Sequence, residues 1–227
     1  MSRYLLPSLF VMALAVGGSL LWVNSRTPSQ TNLASVEKLA NIQDTAAETG
    51  DAKAIKEMAI GNPDAKVTVI EYASNTCPHC ADFHNLVYDK IKANYIDTGK
   101  VRFIVRDVYF DRFGLWAAMV ARCGDGSKFF GMTDLIYSRQ REWLDGGDPA
   151  VVVENLHKLG RLVGMENDKI DACLQDSEKA KNLVAAYQAN VAKDKVEGTP
   201  TFFINGTKYP PMNYADFAKT LDAELAK

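Results

Sequence analysis

The sequence lacks an excess of basic residues. It contains 26 Lys and Arg against 28 Asp and Glu in 227 residues, a net charge of -2. A nucleic-acid partner requires a basic surface that displaces counterions from phosphates, so this balance argues against one. Hydrophobic residues make up 47% and charged residues 24% of the chain. These ordinary proportions exclude a wholly disordered or collagen-like protein.

Cysteine is scarce as well, with four residues in the chain. That number is far too small for a disulfide-dense mini-scaffold. It is even, however, so pairing has to be considered. Cys77 and Cys80 form a CxxC motif, whereas Cys123 and Cys173 are isolated in the sequence. The two sets therefore call for separate interpretations.

Long uncharged runs are rare, and the prominent one is N-terminal, from Tyr4 to Val23. Twenty apolar residues are enough to cross a bilayer as a helix. Two interpretations stay open: a signal peptide cleaved near residues 13–15, or a retained membrane anchor. A buried core helix is disfavoured because the run has no polar face. Both open interpretations place the rest of the chain outside the cytoplasm, where disulfides persist.

The first half of the remaining chain predicts a strand, a helix and a second strand. Val67–Ala73 is rich in β-branched residues and predicts a buried strand. A helix of about 20 residues is expected from Cys77 to around Tyr95, and Val101–Arg106 is the next predicted strand. A connection of this kind makes the two strands parallel. A short strand is also predicted at Glu57–Ile60.

The second half is predicted to be helical until a final hairpin and helix. From 112 to 195 the apolar spacing is helical, with a break between helices at 146–149. Thr201–Asn205 and Thr207–Tyr209 then predict a hairpin closed at Asn205-Gly206. An amphipathic helix from Tyr214 to Leu225 ends the chain. The whole pattern predicts an α/β fold with a block of helices inside it.

The motif Cys77-Pro78-His79-Cys80 directly follows a predicted strand and begins a predicted helix. The free N–H groups and positive dipole of a helix N-terminus favour an anion, so we expect Cys77 to have a lowered pKa. Pro78 suits the first helical turn, and His79 can assist by hydrogen bonding or by its charge. Since thiolate is the nucleophile of disulfide exchange, Cys77 is the predicted reactive sulfur of the pair. It attacks when it is a thiolate, and a substrate thiolate attacks it when it is part of a disulfide. Cys80 is the predicted resolving thiol.

Two other interpretations of the CxxC motif are disfavoured. A zinc site requires further ligands, and the chain has no second CxxC. His84 lies four residues after Cys80, but a three-ligand set is incomplete. A purely structural disulfide would close so small a loop that it contributes little entropic stabilisation. No metal or organic cofactor is expected, and neither His84 nor His157 has a predicted role.

The stretch Asn62-Pro-Asp-Ala-Lys-Val-Thr-Val-Ile-Glu-Tyr-Ala-Ser-Asn-Thr-Cys-Pro-His-Cys80 resembles the opening of the DsbA family of thiol:disulfide oxidoreductases. Residues 101–107 and 198–206 resemble two later family blocks, and the similarity spans about 55–227. The resemblance implies a thioredoxin fold interrupted by an all-helical insertion domain. The expected organisation is a signal peptide or membrane anchor at 1–26, a linker at 27–54, the thioredoxin domain at 55–111 and 195–227, and the helical insertion at 112–194.

The resemblance also implies an activity and supporting residues. It implies an enzyme that introduces disulfides into folding proteins by exchange through Cys77–Cys80. Pro200 matches a cis proline that packs beside the active site and leaves the backbone of Thr199 free to pair with an extended substrate. Glu71 matches a glutamate beneath the site that relays protons to or from Cys80. The alternative for Glu71 is a surface carboxylate on a half-exposed strand.

Thr199 departs from the family pattern. The best-known oxidase of the family has Val there, whereas Thr resembles the pattern of disulfide isomerases and of some Gram-positive oxidases. A disulfide isomerase or reductase with the same site is therefore an alternative function. A redox-inert chaperone or metal-binding module is the alternative from a different class.

The remaining expectations concern the second cysteine pair and the partners. In an oxidising compartment Cys123 and Cys173 are expected to form a structural disulfide, as in some family members, with free thiols or a second redox pair as alternatives. The resemblance implies reduced or misoxidised extracytoplasmic proteins as substrates and a quinone-coupled membrane protein of the DsbB type as re-oxidant. The expected location is the periplasm or extracytoplasmic face, with membrane contact only through residues 4–23. An apolar surface near the site has five candidates, for each of which ordinary core packing is the favoured alternative: Phe83, Tyr109, Phe110, Trp116 and Met212.

Overall fold

The computed structural model describes residues 55–227. The predicted signal peptide or anchor at 1–26 and the predicted linker at 27–54 lie outside the described residues. The elements in chain order are β1 (Met58–Gly61), β2 (Val67–Ala73), α1 (78–96), β3 (Val101–Asp107), α2 (Arg112–Ala121), α3 (Phe129–Ser138), α4 (Gln140–Trp143), α5 (Pro149–Leu162), α6 (Asn167–Leu174), α7 (Ser177–Asp194), β4 (Thr201–Ile204), β5 (Thr207–Tyr209) and α8 (Tyr214–Ala226). Within this part of the chain, no helix has the length and apolar composition needed to cross a bilayer.

The five strands form one sheet in the order β1-β3-β2-β4-β5. The β2 and β3 strands are parallel, as predicted, and the other neighbouring pairs are antiparallel. Val67, Val69 and Tyr72 of the central strand β2 are fully buried, as expected for a strand enriched in β-branched and aromatic residues. The carboxyl end of β2 therefore delivers the following CxxC motif to one edge of the sheet.

The predicted helix after β2 is confirmed, and it begins at Pro78. Cys77 is the residue that precedes it in an extended conformation, with φ -79° and ψ 119°, and proline occupies the first turn. The helix is irregular, because α-helical turns alternate with π-helical turns at His84–Tyr88 and Lys92–Ile96. One face of α1 packs into the main core through Phe83 and Ile91.

Six helices, α2 to α7, lie between β3 and β4 in the chain. The side chain of Asp111 caps α2 by accepting from Gly114 N at 2.9 Å, which supplies one free amide with a partner. The predicted break at 146–149 is confirmed, since Gly146 and Gly147 have positive φ and Asp148 caps the next helix. A disulfide between Cys123 and Cys173 connects the end of α2 to α6.

The predicted hairpin is confirmed as β4 and β5. Asn205 and Gly206 both have positive φ, as a two-residue turn of this type requires. The final helix α8 packs on the sheet through Phe217 and Leu221, both fully buried. Phe217 contacts Phe202 of β4 edge-to-face, with ring centroids 5.1 Å apart, which joins the C-terminal helix to the strand beside β2.

Candidate active site

The two thiols of the CxxC motif lie at the junction of β2 and α1. Cys77 and Cys80 are both buried and both free, and Cys80 is fully enclosed. They form a small apolar cluster with Ala73, Ala81 and Tyr137. Cys77 keeps 7% of its surface exposed, so it is the thiol of the pair that an incoming chain can reach. The fold thus makes the two sulfurs unequal in access.

The pKa of Cys77 is lowered to about 5. The largest cause is the hydrogen bond from the Cys80 thiol. An interaction with the Thr199 side chain also lowers the pKa. The backbone N–H groups of Cys80 and His79, at the open end of α1, lower it further, while burial opposes the shift. The sulfur is therefore thiolate at neutral pH, the form active in exchange.

The pKa of Cys80 is raised far above its ordinary value. Desolvation is the largest cause, followed by the hydrogen bond to Cys77 and the negative charge of Glu71. Cys80 therefore stays protonated while Cys77 is ionised. A buried thiol of this kind needs a nearby group to take its proton before it can attack a disulfide.

Glu71 is fully buried beneath the site, in the central strand β2. Its Oε2 lies 3.0 Å from His84 Nε2, while Oε1 has no hydrogen-bond partner. The alternative of a half-exposed surface carboxylate is therefore wrong. His84 was given no role by the sequence, yet it is buried, pairs with Glu71 and stacks on Tyr137 at 4.2 Å between ring centroids. No local sequence pattern signals this pairing, because Glu71 and His84 lie in different elements, 13 positions apart.

The segment before β4 closes the site from the other side. The Thr199–Pro200 peptide bond is cis, and Cys77 Sγ lies 3.4 Å from the Thr199 carbonyl oxygen, to which it donates only in its protonated form. The Thr199 hydroxyl is buried, and its interaction with the Cys77 sulfur is among the causes of the lowered pKa of Cys77. The sequence-predicted residues Thr199 and Pro200 are thus brought next to Cys77 from 122 positions away.

The imidazole of His79 points away from the sulfurs. Its side chain is 82% exposed and lies 3.9 Å from Asp82. Its contribution to the low pKa of Cys77 comes from its backbone N–H. The position between the cysteines therefore matters through the helix backbone, and the ring is available to a bound chain.

An apolar groove of about 630 Å³ runs from the site along α1 to the start of α8. Its walls are His79, Asp82, Phe83, Leu86, Val87, Lys90, Thr199, Pro211, Met212, Asn213 and Tyr214. Phe83 and Met212 belong to it as expected. Tyr109 and Trp116 are instead buried in the core, the alternative that the sequence favoured, and Phe110 is exposed but lies outside the groove walls. Leu86, which is 66% exposed, was missed because an exposed leucine has no distinctive sequence pattern.

Among residues 55–227, no group of three or more His, Cys, Asp or Glu side chains is arranged to hold a metal ion. His157, also without a predicted role, pairs with Asp171 at 3.1 Å within the helical block. This pair connects α5 to α6 and is separate from the CxxC motif.

Comparison with known proteins agrees with this geometry. The sequence profile of the thioredoxin family matches residues 53–223. The putative protein-disulfide oxidoreductase of Rickettsia bellii is 32% identical over 170 residues, which cover 74% of this chain and 64% of that protein. The chain thus spans less than two thirds of the length of its rickettsial relatives. The probable disulfide bond formation protein D of Bacillus cereus is 30% identical over 185 residues, covering 75% of this chain and 80% of that protein.

Solved structures show the same likeness. The crystal structure of Wolbachia pipientis alpha-DsbA1 superposes with a TM-score of 0.71 and 27% identity, covering 78% of this chain and 94% of that chain. Oxidised BdbD from Bacillus subtilis matches in fold, with a TM-score of 0.67 and 23% identity over 75% of this chain and 94% of that chain. The predicted thioredoxin fold with a helical insertion is therefore confirmed.

Proposed function

The chain belongs to the thioredoxin family, among its DsbA-like protein-disulfide oxidoreductases, and from this premise we propose that it donates a Cys77–Cys80 disulfide to folding proteins. The observation that carries the proposal is the opposite shift of the two thiol pKa values, lowered to about 5 at Cys77 and raised at Cys80. A stabilised thiolate favours the dithiol form over the disulfide. The disulfide form is then a strong oxidant.

The exchange has two steps. A substrate thiolate attacks Cys77 Sγ of the disulfide form, a bond forms between the two sulfurs, and Cys80 departs with the electron pair of the broken Cys77–Cys80 bond. A second substrate thiolate then attacks the substrate sulfur of the mixed disulfide. Cys77 leaves as a thiolate, which is easy because its pKa is low. The substrate has gained a disulfide and the enzyme holds the dithiol.

The departing Cys80 sulfur must acquire a proton, because its surroundings disfavour the thiolate. We assign this transfer to Glu71, whose negative charge is among the groups that raise the pKa of Cys80. Glu71 is sealed from water, so its proton has to come through a partner. His84, at 3.0 Å, is that partner in the proposal. In the reverse reaction, in which Cys80 attacks the mixed disulfide, Glu71 and His84 remove the Cys80 proton.

The substrate is proposed to be an extended, incompletely folded chain. The backbone beside Cys77, at Thr199 and the cis Pro200, can pair with an extended segment in the manner of an added strand. The apolar groove next to it accepts hydrophobic side chains, which unfolded proteins expose. Reduced or misoxidised extracytoplasmic proteins fit both features.

Re-oxidation and location complete the proposal. Each cycle leaves two electrons on Cys77 and Cys80, so a second protein has to accept them. A quinone-coupled membrane protein of the DsbB type is the proposed acceptor. The proposed location is the periplasm or extracytoplasmic face, reached through the apolar segment 4–23 as a signal peptide or an inner-membrane anchor.

The reduction potential of the Cys77–Cys80 pair tests the oxidase function. The full-length protein is equilibrated in glutathione buffers of graded ratio, and the dithiol fraction is measured. We expect a potential well above the value of about -270 mV typical of thioredoxin. The same protein should oxidise reduced RNase during refolding and should reduce insulin poorly.

Two results, one from the reduction potential and one from complementation, would contradict the proposal. A thioredoxin-like potential would reject the oxidase and favour the reductase or isomerase, the alternative to which Thr199 points. Full complementation of a disulfide-formation defect by Cys77→Ala would favour a redox-inert chaperone or metal-binding module. Cys77→Ser and Cys80→Ser are the matched controls, since each removes one sulfur of the pair and leaves Cys123 and Cys173 intact.

A further inference from the structure

The loop that carries Cys77 is held by the helical block. We call residues 74–77, between β2 and α1, the active-site loop. On one side Thr76 Oγ1 donates to Asp111 Oδ2 at 2.6 Å, and Asp111 is the cap of α2. Asn75 Nδ2 donates to the Gly114 carbonyl in the first turn of that helix, at 3.3 Å. The first helix of the block thus fixes this side of the loop.

On the other side a single amide reaches the loop from α4. Gln140 Nε2 donates to the Asn75 carbonyl at 2.9 Å and to the Cys77 carbonyl at 3.0 Å. A primary amide nitrogen has two N–H groups, and both are used here. Gln140 is 7% exposed, so water cannot readily replace these bonds. Its backbone lies at the junction of α3 and α4, more than 60 positions from the loop.

The carbonyl of Cys77 is a sensitive point in the site. It accepts from Ala81 N at 3.2 Å, in the first turn of α1, in addition to the bond from Gln140. Its direction is set by the ψ of Cys77, which also sets where the sulfur lies over the open end of the helix. The N–H groups of His79 and Cys80 stabilise the thiolate from there. Holding the carbonyl therefore holds the sulfur against those donors.

We propose that Gln140 is a positioning residue, which locks the active-site loop from the helical block and thereby sets the reactivity of Cys77. The proposal rests on the proposed disulfide exchange and adds a role for the insertion within it. Without the amide, the buried Asn75 carbonyl loses its donor, which is costly, and the Cys77 carbonyl keeps only the bond from Ala81 N. The loop then relaxes, and the sulfur loses part of its hydrogen bonding from the helix backbone.

Gln140→Met tests this, because methionine has a similar size and no donor. The pKa of Cys77 is measured in the full chain from the ultraviolet absorbance of the thiolate against pH, and the reduction potential is measured in glutathione buffers. We expect the pKa to rise by about one unit, a tenfold weaker stabilisation of the thiolate. The equilibrium constant should shift about tenfold toward the disulfide, which makes the protein about 30 mV less oxidising.

Two further variants make the result decisive. Gln140→Asn keeps an amide one methylene shorter, and it is expected to shift both quantities in the same direction. It decides the question if Gln140→Met does not fold. Ile136→Val is the matched control, because it opens a small cavity in the core face of α3 and leaves the bonds to the loop in place. It should lower stability and leave the pKa of Cys77 unchanged.

The outcomes separate this inference from the proposed function. A wild-type protein without an ionised Cys77 at neutral pH, or without a reversible Cys77–Cys80 couple, would reject the disulfide exchange itself. A normal wild-type couple together with folded Gln140 variants whose pKa and potential equal those of wild type would overturn the positioning role. A pKa shift of equal size in Ile136→Val would also overturn it, since general loosening would then explain the effect.

Discussion

At the scale of single residues, Glu71 and His84 have the most direct consequence for exchange. Both are buried, each has one side-chain atom without a partner, and they meet at 3.0 Å. They lie in the region where the Cys80 proton has to go. A purely structural pair would only fill the core. A pair that transfers protons would also change how the rate of attack by Cys80 depends on pH.

Glu71→Gln is therefore expected to slow the release of a small thiol from its mixed disulfide with Cys77, a step in which Cys80 attacks. The negative charge of Glu71 raises the pKa of Cys80, so its loss alone would speed the step. We expect the release to be about 100-fold slower, as is typical when a general base is lost. Because the loss of charge acts in the opposite direction, a slower rate can be attributed to the lost proton transfer. Stopped-flow measurement between pH 5 and 9 gives the rate.

His84→Gln should slow the same step if His84 passes the proton onward. The control is His157→Gln, which breaks another histidine–carboxylate pair, with Asp171, away from the thiols. It should leave the rate unchanged. A wild-type pH–rate profile in Glu71→Gln would remove Glu71 from the mechanism.

At the scale of secondary-structure elements, α1 departs from the sequence expectation in its regularity. The sequence predicted one helix from Cys77 to around Tyr95, and its extent is confirmed, but its turns alternate between α and π geometry. His84 begins the first π-helical segment. A π-turn changes which residues share a face, so periodicity along the sequence does not reveal it.

The disulfide between α2 and α6 is the element-scale feature with the clearest energetic consequence. Cys123 and Cys173 enclose a loop of 50 positions. Replacing both by Ala is expected to lower the free energy of unfolding by about 4 kcal/mol in the chain-entropy model. Urea unfolding of the double variant and of wild type measures the difference.

The same double variant distinguishes a structural disulfide from a second redox pair. The reduction potential of Cys77 and Cys80 should stay at the wild-type value, because the second pair acts only on the fold. Loss of turnover at an unchanged potential would instead indicate electron transfer through Cys123 and Cys173. Peptide mapping of the non-reduced protein that finds Cys123 as a free thiol would contradict the disulfide itself.

At the scale of the whole molecule, the thiolate couples redox state to stability. The pKa of Cys77 is about 5 in the folded dithiol form and about 9 in an unfolded chain. A lowered pKa stabilises the folded state fully above pH 9, and this stabilisation is lost as the pH falls to 5. The disulfide form has no thiolate and lacks the effect. Cys80, whose pKa is raised, remains protonated throughout this range.

The dithiol form is therefore expected to gain stability over the disulfide form as the pH rises from 5 to 8.5. The expected gain is about 2 kcal/mol, less than the full linkage, because solvent screens the partly accessible sulfur. Urea unfolding of both forms at several pH values measures it. Cys77→Ser under reducing conditions should show no such gain, and a dithiol form whose advantage is independent of pH would contradict the assignment.

Much of the fold could be predicted because its signals are local. The β-branched run of β2, the helical spacing after Arg112 and the Asn205-Gly206 turn each express a preference of neighbouring residues, and each is confirmed. The CxxC motif was likewise identifiable, since its position between a strand and a helix is a local property. The apolar groove was only partly predicted, because its walls come from separate elements.

The sequence by itself determined the order of strands and helices along the chain and which two sulfurs are proposed to exchange, because periodicity and helix-start chemistry act over a few residues. Only the tertiary structure decided that Glu71 is buried against His84, that Thr199 faces Cys77 and that Gln140 reaches the active-site loop. These contacts join residues 13 to 122 positions apart. They exist only after burial has excluded water and brought the elements together, and no local pattern along the chain encodes them.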